Sequence, residues 1–375
     1  MIPWSIMTAF VGCSITFYLF VRYVWLLHLS PVITGLLLIM FLIAGCFPLL
    51  AYYSFEPVLG KYYPLWRYTM YFIFIGCVIL MVLTMTSDVL GFIAYKAGWL
   101  ATPPFSHEFA LRFNLITMIA ALLITVYSLY EGVKVPPVKE VSIASGKITT
   151  DKKIVLLTDI HIHRVINPEK VRQIVGRVNA LEPDIILLAG DIIDDDMGRI
   201  ADTANLLGKL KAKNGIYFVS GNHEFYAGYR DSLVSMKKLG FKTVENSGVD
   251  LGDIFVAGIP DWRTARRIGL IVAPETAFAR AKPEQFRILL SHTPFDTGAG
   301  NLFDLVVSGH THGGQIFPFH ILSALSNKYL AGLYDLDNDA KIYVSRGAGQ
   351  WGPQMRFLAP SEITLIKLTH QNKEK

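Results

Sequence analysis

Four long apolar stretches in the first third of the sequence constrain the fold more than any other feature of the chain. They cover residues 4–27, 32–53, 68–94 and 110–130, and each reaches the length of about 20 residues that a helix needs to cross a bilayer. Only nine Asp, Glu, Lys or Arg residues lie before residue 134, although the chain has 35 basic and 30 acidic residues. The pattern predicts a four-helix transmembrane domain over residues 1–133.

The residues at the ends of these stretches indicate how the helices meet the membrane. Aromatic residues such as Trp4, Tyr23 and Trp66 cluster there, as expected at a bilayer interface, and Arg22 is expected to extend toward the headgroups. Four spans leave both ends of the domain on one side, and lysine and arginine are more frequent on that side than on the other. We therefore expect a multi-pass protein of the cell membrane whose remaining domain is cytoplasmic.

The cysteines and the net charge exclude several classes of protein. Cys13, Cys46 and Cys77 all lie within the apolar stretches, which excludes a disulfide framework and thiolate metal ligands in the rest of the chain. The net charge of +5 is spread along the sequence, so no nucleic-acid partner is predicted. The lipid bilayer is the predicted partner, and the oligomeric state is left open.

Beyond residue 133 the sequence changes to that of a soluble α/β domain. Residues 134–150, with Pro136 and Pro137, are expected to form a linker, and residues 151–370 a second, globular domain. Helices expected near 168–180, 200–212 and 229–239 alternate there with short apolar strands. The strands are KIVLLTD, DIILLAGD, GIYFVSG, DIFVAGI, FRILLSH, DLVVSGH, KIYVSRG and EITLIKL. This alternation predicts a mixed α/β core of two sheets with helices on the outside.

Five of these predicted strands end in side chains that bind metal ions. In the stretch LVVSGHTHGGQI, for example, a glycine-rich turn allows His310 and His312 to point to one place. The carboxyl ends of strands are where ligand sites of α/β sheets gather. The predicted metal ligands are Asp159, His161, Asp191, Asn222, His292, His310 and His312.

The types of these side chains limit the choice of metal. Carboxylate, imidazole and amide groups without thiolate suit divalent ions such as manganese, iron, zinc or magnesium. Two such ions, about 3.5–4 Å apart, need a bridging carboxylate, and Asp191 is the residue expected to bridge them. A pair of ions activates water and binds phosphoryl oxygens, so the pattern favours phosphoryl chemistry.

The order of the motifs resembles that of a known family, the calcineurin-like metallophosphoesterase superfamily. The motifs are Asp159-x-His161, Gly190-Asp191, Gly221-Asn222-His223-Glu224, His292 and Gly309-His310-Thr311-His312. The resemblance covers residues 151–368 and implies a two-sheet α/β/β/α sandwich. The tail SRGAGQWGPQMRFLAPSEITLIKL looks like a bacterial branch whose soluble members are manganese-dependent phosphodiesterases. The wider superfamily includes the UDP-2,3-diacylglucosamine hydrolases, which act on lipids.

The resemblance also implies a role for each of these side chains. One metal would be held by Asp159, His161 and His312, the other by Asn222, His292 and His310, with Asp191 shared between them. His223 would contact the phosphate and protonate the leaving oxygen as a general acid. Two divalent ions, with manganese favoured, are the implied cofactors.

Six further residues have less specific interpretations. His163 is either a substrate contact or an exposed loop residue, and Arg346 either binds phosphate or forms a structural salt bridge. The run Asp194-Asp195-Asp196 is either a second carboxylate site or a solvated turn before a helix. Glu224 is expected to orient its neighbours rather than react.

Two segments near these motifs bear on the substrate. Residues 261–269, DWRTARRIG, gather three arginines around Trp262, which suits either anionic headgroups or a solvated helical face. Residues 316–334 are rich in large apolar side chains, which either line an acyl-chain groove or pack on the sheet.

Three functions are consistent with this sequence. The first is a membrane-bound two-metal phosphoesterase that hydrolyses a phosphodiester, phosphomonoester or pyrophosphate, with a lipid-linked substrate. The second is a phosphodiesterase for soluble nucleotides that uses its helices as an anchor. The third is a membrane transporter or sensor regulated by the metal domain. The third is disfavoured because the spans hold one buried-looking acid, Asp88, and no relay of ionisable groups.

Overall fold

The computed structural model of the chain describes residues 4–52, 56–104, 106–296 and 302–371. The chain divides into two compact units. The first contains the residues up to Tyr130 together with 352–354, and the second contains residues 131–351 and those from Met355 onward. The first unit is helical, and the second contains two sheets with flanking helices.

The described residues of the apolar third form six α-helices. They are α1 (Trp4–Tyr23), α2 (Pro31–Gly45), α3 (Phe47–Tyr52), α4 (Glu56–Leu59), α5 (Tyr63–Lys96) and α6 (His107–Val133). Among the described residues, three segments are long and apolar enough to cross a membrane, namely Ile6–Tyr23, Glu56–Lys96 and Phe113–Val133. Within the predicted stretch 32–53, of which residue 53 lies outside the described residues, the chain forms the shorter helices α2 and α3, which are separated by Cys46. Pro48 lies in the first turn of α3, where proline is tolerated, whereas it interrupts a continuous helix.

The first unit buries an ion pair between two of its helices. Arg22 on α1 donates from Nη2 and Nε to the carboxylate oxygens of Asp88 on α5, at 2.9 and 3.2 Å. The two side chains are only 6% and 7% exposed. The Tyr23 hydroxyl lies 2.8 Å from the hydroxyls of both Thr84 and Thr117. The expectation that Arg22 extends toward the headgroups is therefore wrong, because Arg22 forms an ion pair with Asp88 between α1 and α5.

Twelve strands in the described part of the second unit form two six-stranded sheets. They are β1 (Val138–Ser145), β2 (Lys152–Leu157), β3 (Ile185–Ala189), β4 (Ile216–Val219), β5 (Lys242–Thr243), β6 (Ser247–Asp250), β7 (Ile254–Gly258), β8 (Phe286–Leu290), β9 (Leu305–Ser308), β10 (Gly332–Asp335), β11 (Lys341–Val344) and β12 (Ile363–His370). The first sheet has the order β1-β12-β2-β3-β4-β5, and the second has the order β10-β11-β9-β8-β7-β6. Strands β2 to β5 are parallel, as are β7, β8, β9 and β11.

The eight predicted strands are the interior strands of the two sheets, and the four edge strands have no counterpart among the predictions. Interior strands give continuous apolar runs, and all five residues of β3 are buried. Edge strands are short or half exposed, as in the sequence SGVD of β6, and give no such signal. The edge strand β1 lies within the predicted linker 134–150 and pairs with β12. Part of that segment therefore belongs to the first sheet.

Six α-helices in the described part of the second unit flank the sheets. They are α7 (Pro168–Asn179), α8 (Met197–Ala204), α9 (Asn222–Lys238), α10 (Trp262–Arg267), α11 (Pro274–Ala277) and α12 (Phe319–Ser326). The predicted helices 168–180 and 200–212 correspond to α7 and to α8 with the short 3-10 turn after it. The third begins at Asn222, well before residue 229, and the predicted range corresponds to the part of α9 that follows a kink at Gly228, where φ is 113°.

Three apolar layers hold the second unit together. Leu187 of β3 and Ile288 of β8 belong to the layer between the two sheets. Helix α7 packs Val171 and Ile174 against the outer face of the first sheet, and Ala277 of α11 packs against the outer face of the second. These layers confirm the predicted two-sheet α/β/β/α sandwich preceded by apolar helices.

Candidate metal centre

The seven predicted ligands follow five parallel strands at their carboxyl ends. Asp159 and His161 follow β2, Asp191 follows β3, Asn222 begins α9 after β4, His292 follows β8, and His310 and His312 follow β9. Asn222 and His310 are half-buried, and the other five are buried. Strands from both sheets therefore contribute to one group of polar side chains.

One part of this group joins Asp159, His161 and His312. Nε2 of His312 lies 3.0 Å from Nε2 of His161 and 3.3 Å from Oδ1 of Asp159. The Asp159 carboxylate is fixed by Thr158, whose hydroxyl donates to Oδ2 at 2.7 Å. One carboxylate oxygen and two imidazole nitrogens thus lie within 4.8 Å of one another, as three ligands of one cation would.

A second part joins Asp191, His292 and His310 within the same distance. Oδ2 of Asp191 lies 3.1 Å from His292 Nε2 and 3.8 Å from His161 Nε2. Asn222 adds an amide oxygen, which lies 3.0 Å from His310 Nδ1. The Asp191 carboxylate therefore lies between the two parts, where a bridging ligand of a two-cation site would lie.

The backbone around this centre is strained. Positive φ angles occur at five of the seven residues, namely Asp159 (54°), His161 (52°), Asp191 (52°), His310 (69°) and His312 (50°). This left-handed conformation is uncommon outside glycine and costs roughly 1–3 kcal/mol per residue. Such strain persists only where the surrounding structure enforces it, and it concentrates at functional sites.

The donor atoms fit divalent cations. His292 donates from Nδ1 to the carbonyl oxygen of Ala189 at 2.9 Å, which leaves a lone pair on Nε2. This buried Nε2 makes no hydrogen bond within the described residues although Oδ2 of Asp191 lies 3.1 Å away, so two lone pairs face each other, and a cation between them would relieve that arrangement. A Cβ at Gly221 would lie only 2.1 Å from Asp191 Oδ1, so glycine keeps the space open. Nitrogen and oxygen donors of this kind suit borderline and hard divalent metals.

Known proteins of similar sequence are metallophosphoesterases. Residues 152–314 match the family model of the calcineurin-like phosphoesterases. An uncharacterized metallophosphoesterase of Campylobacter jejuni is 37% identical over 263 residues, which are 69% of this chain and 70% of that protein. One from Helicobacter pylori is 38% identical over 246 residues, and the match spans 65% of this chain and 66% of that protein. A Danio rerio transmembrane protein with a metallophosphoesterase domain is 34% identical over 277 residues, which are 68% of this chain and 63% of that protein.

The chain belongs to the calcineurin-like metallophosphoesterase family. Members of this family bind two divalent metal ions, and the protein is accordingly a metal-dependent phosphoesterase. The two groups of Asp and His side chains provide places for such ions. The apolar helices, and relatives named transmembrane proteins in Danio rerio and Bos taurus, indicate that this phosphoesterase associates with a membrane.

Glu224 organises the loops of this phosphoesterase. Its buried carboxylate accepts hydrogen bonds from the backbone N–H groups of Asp191, Ile192, Ile193 and Gly221, at 2.6 to 3.0 Å. Burial raises the pKa of Glu224 to about 7, and the charge of Asp191 adds to that rise. One side chain thus fixes the loops that follow β3 and β4, in keeping with the orienting role expected from the sequence.

His223 has a carboxylate partner that sequence reasoning missed. Its Nδ1 forms a short hydrogen bond with Asp194, and its backbone N–H donates to Oδ1 of Asp191 at 2.8 Å. Burial lowers the pKa of His223, but the charges of Asp191 and Asp194 outweigh that effect and raise the pKa to about 9. The ring is therefore protonated near neutral pH, which is the state that a general acid requires.

The three residues of the acidic run 194–196 have three different partners. Asp194 groups with His161 and His223, Asp195 pairs with Arg164 at 2.7 Å, and Asp196 caps α8. The interpretation as a solvated turn therefore holds only for Asp196. The sequence signal for Asp194 is its position three residues after Asp191, which is weak evidence by itself.

The two predicted substrate contacts lie in different settings. His163 is buried rather than exposed, and its Nδ1 accepts a hydrogen bond from the backbone N–H of Val165 at 3.1 Å. Arg346 forms a structural salt bridge, which was one of the two interpretations of this residue from the sequence. Its Nη1 lies 3.0 Å from Oε2 of Glu362. Its side chain is still 28% exposed, and contact with a phosphate stays a prediction for both residues.

Arg356 is a further residue of this region that sequence reasoning missed. Its guanidinium is fully buried and donates to the carbonyl oxygens of Gly349, Ala359 and His312. It therefore connects the chain after β11 to the turn that carries His312. A single arginine in an apolar tail carries no spacing signal, so only the structure identifies it.

Proposed function

We propose that this enzyme is a membrane-bound two-metal phosphoesterase that hydrolyses a lipid-linked phosphodiester, phosphomonoester or pyrophosphate. The observation that carries the proposal is the presence in one chain of a buried Asp/His centre, with Asp191 between its two parts, and of three helices of membrane-spanning length. An enzyme fixed in a bilayer meets lipids at a higher effective concentration than it meets dilute soluble compounds.

The proposed roles follow the geometry of the centre. One cation would be held by Asp159, His161 and His312 and the other by Asn222, His292 and His310, and Asp191 would contribute to both. Two divalent ions bound there, with manganese favoured, would supply an activated water and neutralise charge on phosphoryl oxygens. His223 gives the proton on Nε2 to the leaving oxygen, because its Nδ1 is engaged with Asp194. Arg346 and His163 contact the phosphate.

We also propose that the catalytic domain lies on the cytoplasmic side of the membrane. Lys61 and Arg67 stand in the connection between the second and third predicted spans, and Lys134 and Lys139 follow the fourth. Basic residues near spans favour the cytoplasmic side. Protection of a tag at the carboxyl terminus from protease added to intact cells supports this orientation, and cleavage of the tag contradicts it.

Mass spectrometry of a bacterial lipid extract tests the substrate class. The extract is incubated with manganese and purified full-length protein, beside an Asp191→Asn variant as the matched control. Loss of one phosphate-containing lipid in the active sample alone supports the lipid substrate and identifies it. If no lipid changes while a chromogenic phosphodiester is cleaved, the substrate is soluble, and nucleotide phosphodiesters are tested next.

A further inference from the structure

Helix α12 carries an exposed apolar surface. Of its eight described residues none is buried, and Leu325, Leu322, Ile321 and Phe319 are 80%, 61%, 56% and 40% exposed. Contiguous exposed side chains of this size mark an interaction surface in a soluble domain. The sequence alone left open whether this segment packs on the sheet, and its exposure shows that these four side chains do not.

This apolar surface is attached to the turn that carries two of the predicted metal ligands. Thr311, which stands between His310 and His312, accepts at its carbonyl oxygen from the hydroxyl of Ser323 on α12, at 3.4 Å. The backbone of α12 also lies close to the turn, since a Cβ at Gly314 would come within 2.5 Å of the Cα of His320. The apolar helix is thus held directly beside the centre.

Helix α10 brings arginines to the same surface. Trp262 donates from Nε1 to the carbonyl oxygen of Thr293 at 3.2 Å, next to His292. The guanidinium groups of Arg263 and Arg266 lie over the Trp262 ring, at 5.3 and 5.4 Å from its centroid.

Contacts of Arg263 join the two helices into one surface. Arg263 donates from Nη2 to the carbonyl oxygen of Ser326, the last residue of α12, at 3.3 Å. Arg263, Arg266 and Arg267 are all exposed. In the part of the chain that the structure describes, none of the three forms an ion pair with a carboxylate, so their charges are available to a ligand.

We infer that α10 and α12 together form a docking surface for an anionic lipid bilayer, beside the metal centre. Large apolar side chains next to arginines are the composition that binds the boundary between acyl chains and anionic headgroups. A second copy of the chain fits less well, because a symmetric contact would bring these unpaired arginines toward their own copies. A bilayer is available as the partner, since only residues 134–137 separate the apolar helix α6 from β1.

The inference deepens the proposed function and rests on it only for the nature of the substrate. A docked surface would keep lipid phosphate groups near the strand ends that carry the seven predicted ligands. Docking itself is measured without turnover, so the two proposals fail in different experiments.

Fluorescence quenching by labelled lipids tests the surface. Full-length protein, with its three native cysteines replaced by alanine, is reconstituted in nanodiscs that contain phosphatidylglycerol and doxyl-labelled lipid. An environment-sensitive fluorophore is attached to Leu325→Cys or to Val234→Cys, an exposed apolar position (50% exposed) on α9. We expect quenching at 325 to exceed that at 234 at least threefold. Equal quenching at the two positions overturns the inference, as does energy transfer between labels on different chains, which would assign the surface to a second copy.

A charge variant tests the arginines in the same assay. Arg266→Glu with Arg267→Glu, placed in the Leu325→Cys protein, is expected to reduce quenching at least twofold. Lys237→Glu with Lys238→Glu on α9 makes the same change of charge elsewhere and is expected to have no effect. Equal quenching in the two double variants contradicts the role of the arginines. Metal content of each protein verifies that the second unit is folded.

Discussion

Both units of the molecule bury charged or titratable side chains, but they satisfy them in different ways. In the helical unit, Arg22 and Asp88 neutralise each other through two hydrogen bonds. In the phosphoesterase unit, carboxylates and histidines converge, and a buried nitrogen of His292 makes no hydrogen bond within the described residues. The pair is neutral as a whole, although Nη1 of Arg22 is buried without a hydrogen bond within the described residues, and a neutral pair suits a structural role. The converging carboxylates and imidazoles of the phosphoesterase unit require cations to balance them. The comparison therefore distinguishes a buried pair that connects helices from a buried group that binds metal for catalysis.

We expect the largest effect from substitution of Asp191, whose carboxylate lies between the two parts of the centre. Asp191→Asn removes the charge that both predicted cations share, and with it several kcal/mol of charge stabilisation in the transition state. We expect kcat/KM to fall on the order of 10³-fold or more, with a parallel loss of bound metal measured by plasma mass spectrometry. Asp195→Asn, which changes a carboxylate bonded to Arg164 and to the backbone N–H of Asp196 rather than to a predicted ligand, is the control. Two retained metals and a near-normal rate in Asp191→Asn would refute the bridging role.

The next prediction separates proton transfer from metal binding. His223 is not among the seven predicted ligands, so His223→Ala is expected to keep its metal and lose about 10²–10⁴-fold in kcat. Because the acid works only when protonated, the wild-type rate falls as pH rises through the pKa of His223, which its carboxylate neighbours raise to about 9. The variant should lack that decline in a pH profile. Undiminished activity in His223→Ala would remove the residue from the mechanism.

A third prediction tests the buried ion pair of the helical unit. Asp88→Ala leaves Arg22 buried without a counter-charge, which costs about 3–5 kcal/mol of stability, whereas Arg22→Met with Asp88→Leu is expected to be far milder. Denaturation of the detergent-solubilised protein, followed by circular dichroism, measures both. Metal content should remain unchanged in all variants. If the double variant is as unstable as Asp88→Ala, the pair is not the neutral unit described above.

The strands that the sequence predicts well are those that are buried on both faces. The interior strands are continuous apolar runs, and five of them are followed by side chains that bind metal ions, such as Asp191 after β3. The order of strands in each sheet requires pairing across long stretches of sequence, which local patterns do not encode. The edge strand β5, only two residues long, carries no pattern at all.

The site residues that the sequence analysis did not identify are defined by tertiary contacts. Nothing in their local sequence distinguishes them. Asp194 is one of three consecutive aspartates, and only the fold shows that it alone meets His223. Positive φ angles at residues such as Asp159 and Asp191 are equally hard to predict, because the residue in the left-handed conformation is not itself a glycine. The same holds for Arg22, whose partner lies 66 residues away on another helix.

The smallest predicted effect concerns Asp194, which links the metal centre to its proton donor. Asp194→Asn keeps a hydrogen-bonding group beside His223 but removes a negative charge that raises its pKa. With that pKa lowered, less of the ring is protonated at a given pH, so the alkaline decline in rate should move to lower pH. We expect a shift of about one unit, which corresponds to a roughly fivefold loss of kcat at pH 9, about tenfold well above that pH, and little change at pH 6.

A purely structural role for Asp194 would give a different result. A destabilised loop would lower kcat by the same factor at every pH and would leave the shape of the profile unchanged. Asp195→Asn, one residue away and paired with Arg164, controls for general disturbance of the loop. Titration of the His223 ring by NMR provides a readout independent of turnover. An unshifted ring pKa in Asp194→Asn would mean that the charges at Asp191 and elsewhere in the centre suffice to keep His223 protonated.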